Sequence, residues 1–179
     1  MADKNQAFAV WLTGLPASGK STIAKALVSA LAARGLDAAL LESDVLRRVF
    51  TPHPRYDLEE REVFYRQLAY IGVLLTRHGV PVIFDAAANR RAYRDDARKQ
   101  IPGFLEVYVE CPLEICMSRD PKGIYHAGHE GKATIVPGLQ EPYEPPVNPD
   151  VVVHGESEAP ETAAERVVSK LIEKGIMAR

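Results

Sequence analysis

The stretch GLPASGKST, residues 14–22, constrains this chain more than any other part of its sequence. It satisfies the pattern G-x-x-x-x-G-K-[ST], with an apolar run before it and a helical pattern after it, which is the context that the pattern requires. The glycines let backbone N–H groups turn inward around phosphate oxygens, and the positive end of the following helix dipole points to the same place. An accidental glycine-rich turn is the alternative. The context favours a nucleoside triphosphate site.

The residues of this phosphate loop have separate expected roles. Lys20 is expected to reach the β and γ phosphates, as a catalytic and a nucleotide-binding residue, and the Ser21 hydroxyl to help hold Mg²⁺. ATP and Mg²⁺ are therefore the expected cofactors. The nucleotide-binding residues predicted from the loop are Gly14, Ala17, Ser18, Gly19, Lys20, Ser21 and Thr22.

Strand-like and helical segments alternate along the chain, which predicts an α/β fold with a mostly parallel five-stranded sheet, in three layers as in P-loop NTPases. Ligands in such folds bind beyond the carboxyl ends of the strands, so Gly14, Asp44, Asp85 and Cys111 are expected along one rim. The predicted strands are 8–13, 38–43, 80–84, 104–109 and 150–153. The predicted helices are 20–34, 45–50, a long helix ending at Gly79, 91–99, one beginning at 112, and 161–174.

Residues 121–149 interrupt this alternation and are rich in glycine and proline. A structureless insert of this length in a compact domain is usually a functional lid or is disordered. We find no internal repeat and no second domain, so residues 1–179 are expected to form a single P-loop domain with this lid.

Bulk properties exclude several classes of function. The formal net charge is −2, so no global field indicates nucleic acid or a membrane as partner. The apolar runs are too short to span a bilayer, and the first residues lack the apolar region of a signal peptide. Cys111 and Cys116 are expected to be reduced thiols in a cytoplasmic protein, without the partners of a zinc site.

The chain has no N-K-x-D stretch, which a GTPase would need, and it is short for a motor ATPase. A small-molecule kinase is the remaining interpretation, and it needs a residue to accept the proton of the acceptor. Asp44 directly follows the predicted second strand, where its carboxylate would act as a general base or help hold the Mg²⁺ shell. Asp44 also suits the N-cap of helix 45–50, and both roles are compatible.

Arginines near this rim suit an acidic acceptor, for which Arg47 and Arg61 form a predicted bidentate clamp. Arg90 or Arg91 is a second predicted anion ligand, whereas Arg94 and Arg98 have the spacing of a solvated helix face. Tyr56 is expected to stack on a base or to serve as a hydrophobic staple.

Together, "VWLTGLPASGKST", Asp44 with Arg47, "FLEVYVECPLEICMSRDPKGIYHAG" and "PYEPPVNPDVVV" resemble the adenylylsulfate kinase family over roughly residues 8–175. The pair "RDPKGIY" and "PYEPP" is far more specific than the phosphate loop. The resemblance implies transfer of a phosphoryl group from MgATP to the 3′-hydroxyl of adenosine 5′-phosphosulfate (APS), a step of sulfate assimilation. It also implies a possible homodimer.

The resemblance assigns further roles by position. Asp44 matches the acidic base of the family, Arg47 and Arg61 match arginines that contact the nucleotide substrate, and Tyr56 matches a phenylalanine that stacks on adenine. Arg119, Asp120 and Lys122 match the start of the family's lid, where the lysine approaches phosphates. Arg119 and Lys122 therefore join the predicted nucleotide-binding residues.

The chain also departs from the family pattern. Phe64 replaces an asparagine that contacts substrate, Val136 replaces a second stacking phenylalanine, and "FDAAANRR" is two residues longer than its counterpart. Loss of one base-stacking contact is worth about 1–3 kcal/mol. Two alternatives follow: a kinase of the same fold with a different acidic or nucleotide-linked acceptor, and a nucleotide-binding regulator without turnover. A polynucleotide kinase is disfavoured because no basic stripe with interleaved aromatics is present.

Overall fold

The computed structural model describes residues 7–133 and 135–178. Its centre is a five-stranded sheet with every neighbouring pair parallel, in the order β2-β3-β1-β4-β5. The predicted α/β fold with a parallel sheet is confirmed. The strands are β1 (Ala9–Thr13), β2 (Ala39–Glu42), β3 (Val82–Asp85), β4 (Phe104–Glu110) and β5 (Val151–His154).

Helices cover both faces of the sheet. The residues described form α1 (Lys20–Ala32), α2 (Ser43–Phe50), α3 (Leu58–Arg77), α4 (Arg91–Gln100), α5 (Leu113–Arg119), α6 (Ile124–His129) and α7 (Pro160–Glu173). None of these helices is both long enough and apolar enough to cross a membrane.

Strand β1 shows why the sheet needs two covering layers. Its residues are all buried and point alternately to opposite faces. Val10 and Leu12 belong to one core cluster, with α1 and α7, whereas Trp11 belongs to the other, with α3 and α4. Trp11 stacks on Phe84 with 4.4 Å between ring centroids. This double burial explains the continuous apolar strands of the sequence.

The predicted helices 20–34, 45–50, 91–99, that beginning at 112, and 161–174 start within two residues of the observed ones, whereas α6 was not predicted. The Asp57 carboxylate accepts a hydrogen bond from the Glu60 backbone N–H at 2.9 Å, which caps α3. Asp44 is not the N-cap of α2, because α2 begins at Ser43 after Glu42 at the cap position. The Asp44 side chain is therefore free of a capping role.

The prediction that residues 121–149 lack structure is wrong. The segment contains α6, and Tyr125 and Val136 are buried in a third apolar cluster with Cys111 and Cys116. The helix is short and lies between glycines, which is why the pattern of the sequence hides it.

The prediction of a solvated face for Arg94 is also wrong. Arg94 is 1% exposed, and its guanidinium pairs with Glu106 at 2.7 Å and donates to the backbone oxygens of Ala88 and Glu144. Arg98 is partly exposed and pairs with the other oxygen of Glu106. A glutamate in the middle of a buried strand needs cationic partners, so Glu106 was the sequence feature that could have indicated a buried arginine.

Candidate active site

A cavity of about 480 Å³ lies beyond the carboxyl ends of β1, β2 and β3. The phosphate loop forms one wall, the start of α2 and the end of β3 form the floor, and residues 119–124 form the opposite wall. The predicted nucleotide-binding residues that line it are Ala17, Gly19, Lys20, Ser21, Thr22, Arg119 and Lys122. Asp44 and Asp85 line it as well, whereas Gly14 and Ser18 lie in the loop behind the surface of the cavity.

The backbone of the phosphate loop explains its glycines. Gly14 has φ 155°, and a Cβ there would lie 2.4 Å from the carbonyl oxygen of Val109 in β4. Gly19, directly before α1, has φ 106°, which other residues rarely adopt. At Gly14 the loop therefore lies against the neighbouring strand with no room for a side chain. The Ser18 N–H donates to the Leu15 carbonyl within the loop, and other loop N–H groups are expected to bind a ligand.

Lys20 is the first residue of α1 and is 8% exposed. Its ammonium donates a hydrogen bond to the Leu15 carbonyl at 2.7 Å, inside the loop. Burial lowers the pKa of Lys20, and the negative charge of Asp85 partly opposes that shift. The Lys20 side chain thus lies inside the loop, at the point where phosphates would bind.

The two carboxylates of the cavity have different surroundings. The side chain of Asp44 is 60% exposed and forms an ion pair with Lys122 from the opposite wall. Asp85 is 7% exposed and takes part in none of the ion pairs found among the residues described. The structure thus brings the predicted base and the predicted lid lysine together, with a second carboxylate below them.

Arg47, predicted to bind the acceptor, lies in a stack of side chains next to the cavity. Its guanidinium lies over the ring of Phe64 at 3.9 Å from the centroid and near Tyr56 at 5.1 Å. It also pairs with Glu60 at 3.1 Å. Phe64 is fully buried under Arg47, so any influence of Phe64 on a ligand would act through that arginine, and its role toward substrate stays a prediction.

Arg61 connects three parts of the chain. It donates hydrogen bonds to the Tyr56 carbonyl, the Asn89 side chain and the Ile135 carbonyl, at 2.9, 3.3 and 2.7 Å. The guanidinium therefore joins α3 to the loop after β3 and to the segment after α6. Its role toward a ligand stays a prediction.

Other predicted acceptor residues are not among those that line the cavity. Arg90 is 4.0 Å from Glu141 and Arg91 is 3.6 Å from Glu144, so both pair with residues of the downstream segment. Val136 is buried in the third apolar cluster and does not face the cavity. The structure gathers the predicted phosphate ligands but leaves these acceptor residues apart.

Sequence reasoning missed the residues that hold the covering segment in place. The Tyr125 hydroxyl donates to the Pro16 carbonyl of the phosphate loop at 3.0 Å. The side-chain amide of Asn89 donates to the Pro142 carbonyl at 3.2 Å, and Tyr143 and Thr13 share a hydrogen bond at 2.9 Å. "PYEPP" was recognised as a family motif, and its tyrosine is the one that reaches the end of β1.

Backbone strain is concentrated around the same region. Three non-glycine residues have positive φ among those described: Ala17 at 62°, Tyr56 at 59° and Ala88 at 44°. Ala17 lines the cavity and Ala88 follows Ala87, which also lines it, and such conformations cost of order 1–3 kcal/mol each. Residues held this way are typical of sites where position matters more than stability.

A parallel sheet in this strand order, with a glycine-rich phosphate loop after its central strand and a carboxylate on the facing rim, defines a P-loop kinase. The family model for adenylylsulphate kinase matches residues 6–154, and the chain belongs to that family. An adenylyl-sulfate kinase of Microcystis aeruginosa is 38% identical over 96% of this chain and 95% of its own length. A probable adenylyl-sulfate kinase of Pyrococcus abyssi is 37% identical over 96% and 99%.

Solved structures agree with this assignment. The APS kinase of Mycobacterium tuberculosis, determined in complex with AMPPNP and APS, superimposes with a TM-score of 0.87 at 31% identity, covering 93% of this chain and 98% of its own. A gluconokinase from Sinorhizobium meliloti, at 16% identity and a TM-score of 0.58, shares the fold alone.

Proposed function

We propose that this chain is an adenylyl-sulfate kinase, which transfers the γ-phosphoryl group of ATP to the 3′-hydroxyl of APS and forms 3′-phosphoadenylyl sulfate. The observation that carries the proposal is the shared cavity of Lys20, Ser21, Asp44 and Lys122. A phosphoryl transfer needs cations on the phosphates and a carboxylate near the acceptor hydroxyl, and this cavity supplies both. The relatives of the chain, at 37–38% identity, bear the corresponding names.

The side chains divide the work in this proposal. The Asp44 carboxylate accepts the proton of the 3′-hydroxyl, which makes that oxygen a better nucleophile. The Lys20 ammonium and the loop N–H groups stabilise the negative charge on the transferred group. Lys122, released from Asp44, and Arg119 add positive charge from the opposite wall.

Magnesium suits the residues of this cavity. Bound Mg²⁺ would neutralise charge on the β and γ phosphates. Among the residues described, no group of three or more His, Cys, Asp or Glu side chains is arranged to hold a metal. That is the expected condition for Mg²⁺, which is usually bound by one or two carboxylates together with substrate phosphates.

A panel of acceptors tests the proposal. ADP release is measured by a coupled assay with APS, adenosine 5′-monophosphate, gluconate and shikimate at equal concentration. We expect APS to be turned over fastest. Faster turnover of another acceptor would establish the alternative, a kinase of the same fold with a different substrate, which the burial of Phe64 and Val136 favours. No acceptor-dependent ADP release would instead support a non-catalytic regulator.

We also infer that residues 121–149 act as the lid of this single domain. Lys122 and Tyr125 already contact Asp44 and the phosphate loop, so the segment needs only a small movement to enclose a ligand. Closure excludes water, which competes as a phosphoryl acceptor. Hydrogen exchange in 121–149 should slow when AMPPNP and APS are both bound, and unchanged exchange would contradict the lid role.

A homodimer is the proposed assembly, and the cytoplasm is the proposed location. Val63, Tyr70 and Leu74 lie on one exposed stripe of α3, and burial against a second copy would remove them from water. The free thiols of Cys111 and Cys116 suit a reducing compartment. Light scattering should give twice the monomer mass for the unmutated chain, and the mass of a single monomer for Tyr70→Glu. A monomer for the unmutated chain would refute the dimer.

A further inference from the structure

We propose that Asp85, and not Asp44, is the carboxylate that holds the magnesium ion of bound MgATP, which leaves Asp44 free to act as the base. The inference rests on the nucleotide-binding part of the proposed function. The sequence assigns two roles to Asp44, the general base and a magnesium ligand. It does not distinguish Asp44 from Asp85 as the metal ligand, because both carboxylates lie at the carboxyl end of a strand.

The position of the two carboxylates in the sheet differs. Asp85 ends β3, which pairs directly with β1, and its backbone partner in β1 is Leu12, two residues before the phosphate loop. Asp44 follows β2, the edge strand, and lies in the first turn of α2. Asp85 is thus one strand from the loop that carries Ser21, and Asp44 is two strands away.

Their burial differs as well. Asp85 is 7% exposed and lines the cavity, but it takes part in none of the ion pairs among residues 7–133 and 135–178. The charge of Asp85 interacts with that of Lys20, which lies beyond ion-pair distance, so a cation bound closer in the cavity would further stabilise this buried carboxylate. Asp44 is exposed and already has a cation, the ammonium of Lys122.

The chemistry of the surrounding groups is that of a magnesium site. Mg²⁺ takes oxygen ligands in octahedral geometry and keeps several waters, so a hydroxyl and one carboxylate are sufficient when phosphates supply the rest. Ser21 and Asp85 are the hydroxyl and the buried carboxylate of the same cavity. In P-loop NTPases generally, a loop Ser or Thr and an aspartate share this task.

Binding of Mn²⁺ in the presence of AMPPNP tests the assignment without any acceptor or turnover, so failure of the APS activity cannot be mistaken for failure of this proposal. Electron paramagnetic resonance measures Mn²⁺ affinity for the full chain, for Asp85→Asn and for the matched control Asp44→Asn. We expect Asp85→Asn to weaken Mn²⁺ binding at least about tenfold, the scale on which ligand-shell changes act. Asp44→Asn should change it less than about threefold by the same measure.

Each other outcome overturns the proposal. Weaker Mn²⁺ binding in Asp44→Asn alone, an equal loss in both variants, or no loss in either would show that Asp85 does not hold the metal in preference to Asp44. Metal-free AMPPNP binding confirms that each variant is folded. If Asp85→Asn does not bind AMPPNP, crystals of the unmutated chain with Mn²⁺ and AMPPNP decide the question. An anomalous peak nearer to Asp85 than to Asp44 is expected, and any other position refutes the proposal.

Discussion

The proposed phosphate side and the proposed acceptor side of this molecule are built by different means. The phosphate side consists of backbone: Gly14 packs against the Val109 carbonyl, and Gly19 begins α1 from a left-handed conformation. The acceptor side consists of long side chains, with Arg47 held between Phe64 and Tyr56 and paired to Glu60. A backbone cradle is specified by a short motif, whereas a stack of side chains is specified by residues from separate elements.

This difference separates what is general from what is particular. A polyphosphate is the same in every kinase of this fold, so a loop of main-chain N–H groups and one lysine recognises it. An acceptor differs between kinases and must be read by side chains. Substitutions on the phosphate side should therefore abolish the rate with any acceptor, and substitutions on the acceptor side should change mainly which acceptor is used.

The largest effect is expected for Lys20→Met. It removes the positive charge that stabilises the transferred group, so the single-turnover rate should fall by roughly 10²–10³ or more. Lys25→Met is the matched control, because Lys25 is an exposed lysine of the same helix, and its rate should not change. A loss of less than about tenfold in Lys20→Met would contradict the role of the phosphate side.

Asp44→Asn should have the next largest effect. Loss of the general base lowers the rate by about 10²-fold, the lower end of the range for general-base catalysis, while the affinity for MgATP measured by calorimetry stays the same. Asp37→Asn, at an exposed position, serves as the control. If Asp44→Asn retained the full rate, another group would accept the proton of the hydroxyl, and Asp44 would not be the general base.

A smaller and more selective effect is expected at Arg47. Arg47→Lys removes the planar group that stacks on Phe64, so the KM for APS should rise about tenfold while the KM for ATP stays unchanged. Phe64→Leu should raise the KM for APS less, since a cation–π contact is worth about 0.5–2 kcal/mol. Arg48→Lys is the exposed neighbouring control. Equal changes in both KM values would show that the two sides are not separate.

The smallest effect concerns the thiol beneath the cavity. Burial raises the pKa of Cys116 from its ordinary value of 9.0 to about 12. Between about pH 9 and pH 12 the thiol stays protonated in the folded chain but loses its proton in the unfolded chain. The contribution of this group to the free energy of unfolding is therefore fully present below about pH 9 and decreases as the pH rises toward 12. Urea unfolding from pH 8 to 10.5 should show a smaller decrease for Cys116→Ala than for the unmutated chain. An identical decrease in the two chains would show that Cys116 does not contribute to this pH dependence.

The sequence was most informative where local patterns decide the structure. The alternation of strands and helices predicted the sheet, and the phosphate loop motif predicted the residues that line the cavity. It was least informative where a side chain meets partners distant in the chain. Arg94 looked exposed until Glu106, on another element, was placed beside it. The sequence placed Phe64 at a substrate-contacting position of the family, but the contact with Arg47 that covers its ring had no local signal.

The segment 121–149 shows a second reason why the sequence could not predict every part of the structure. Its helix α6 has six residues, too few for a periodic pattern, and its buried side chains pack on the phosphate loop, not on the sheet. Composition alone indicated a loop. Contacts such as that of Tyr125 with Pro16 follow from the tertiary fold and carry no local signal.

The hydrogen bonds of Pro142 and Tyr143 have a mechanical consequence. They tie the downstream end of the proposed lid to Asn89 and to Thr13 at the end of β1, and α5 anchors the upstream end. Because contacts hold both ends of this segment, it can close by moving as a unit and samples fewer conformations than an unattached chain end. Each catalytic cycle then orders few additional residues, and the entropic cost of covering the nucleotide stays small.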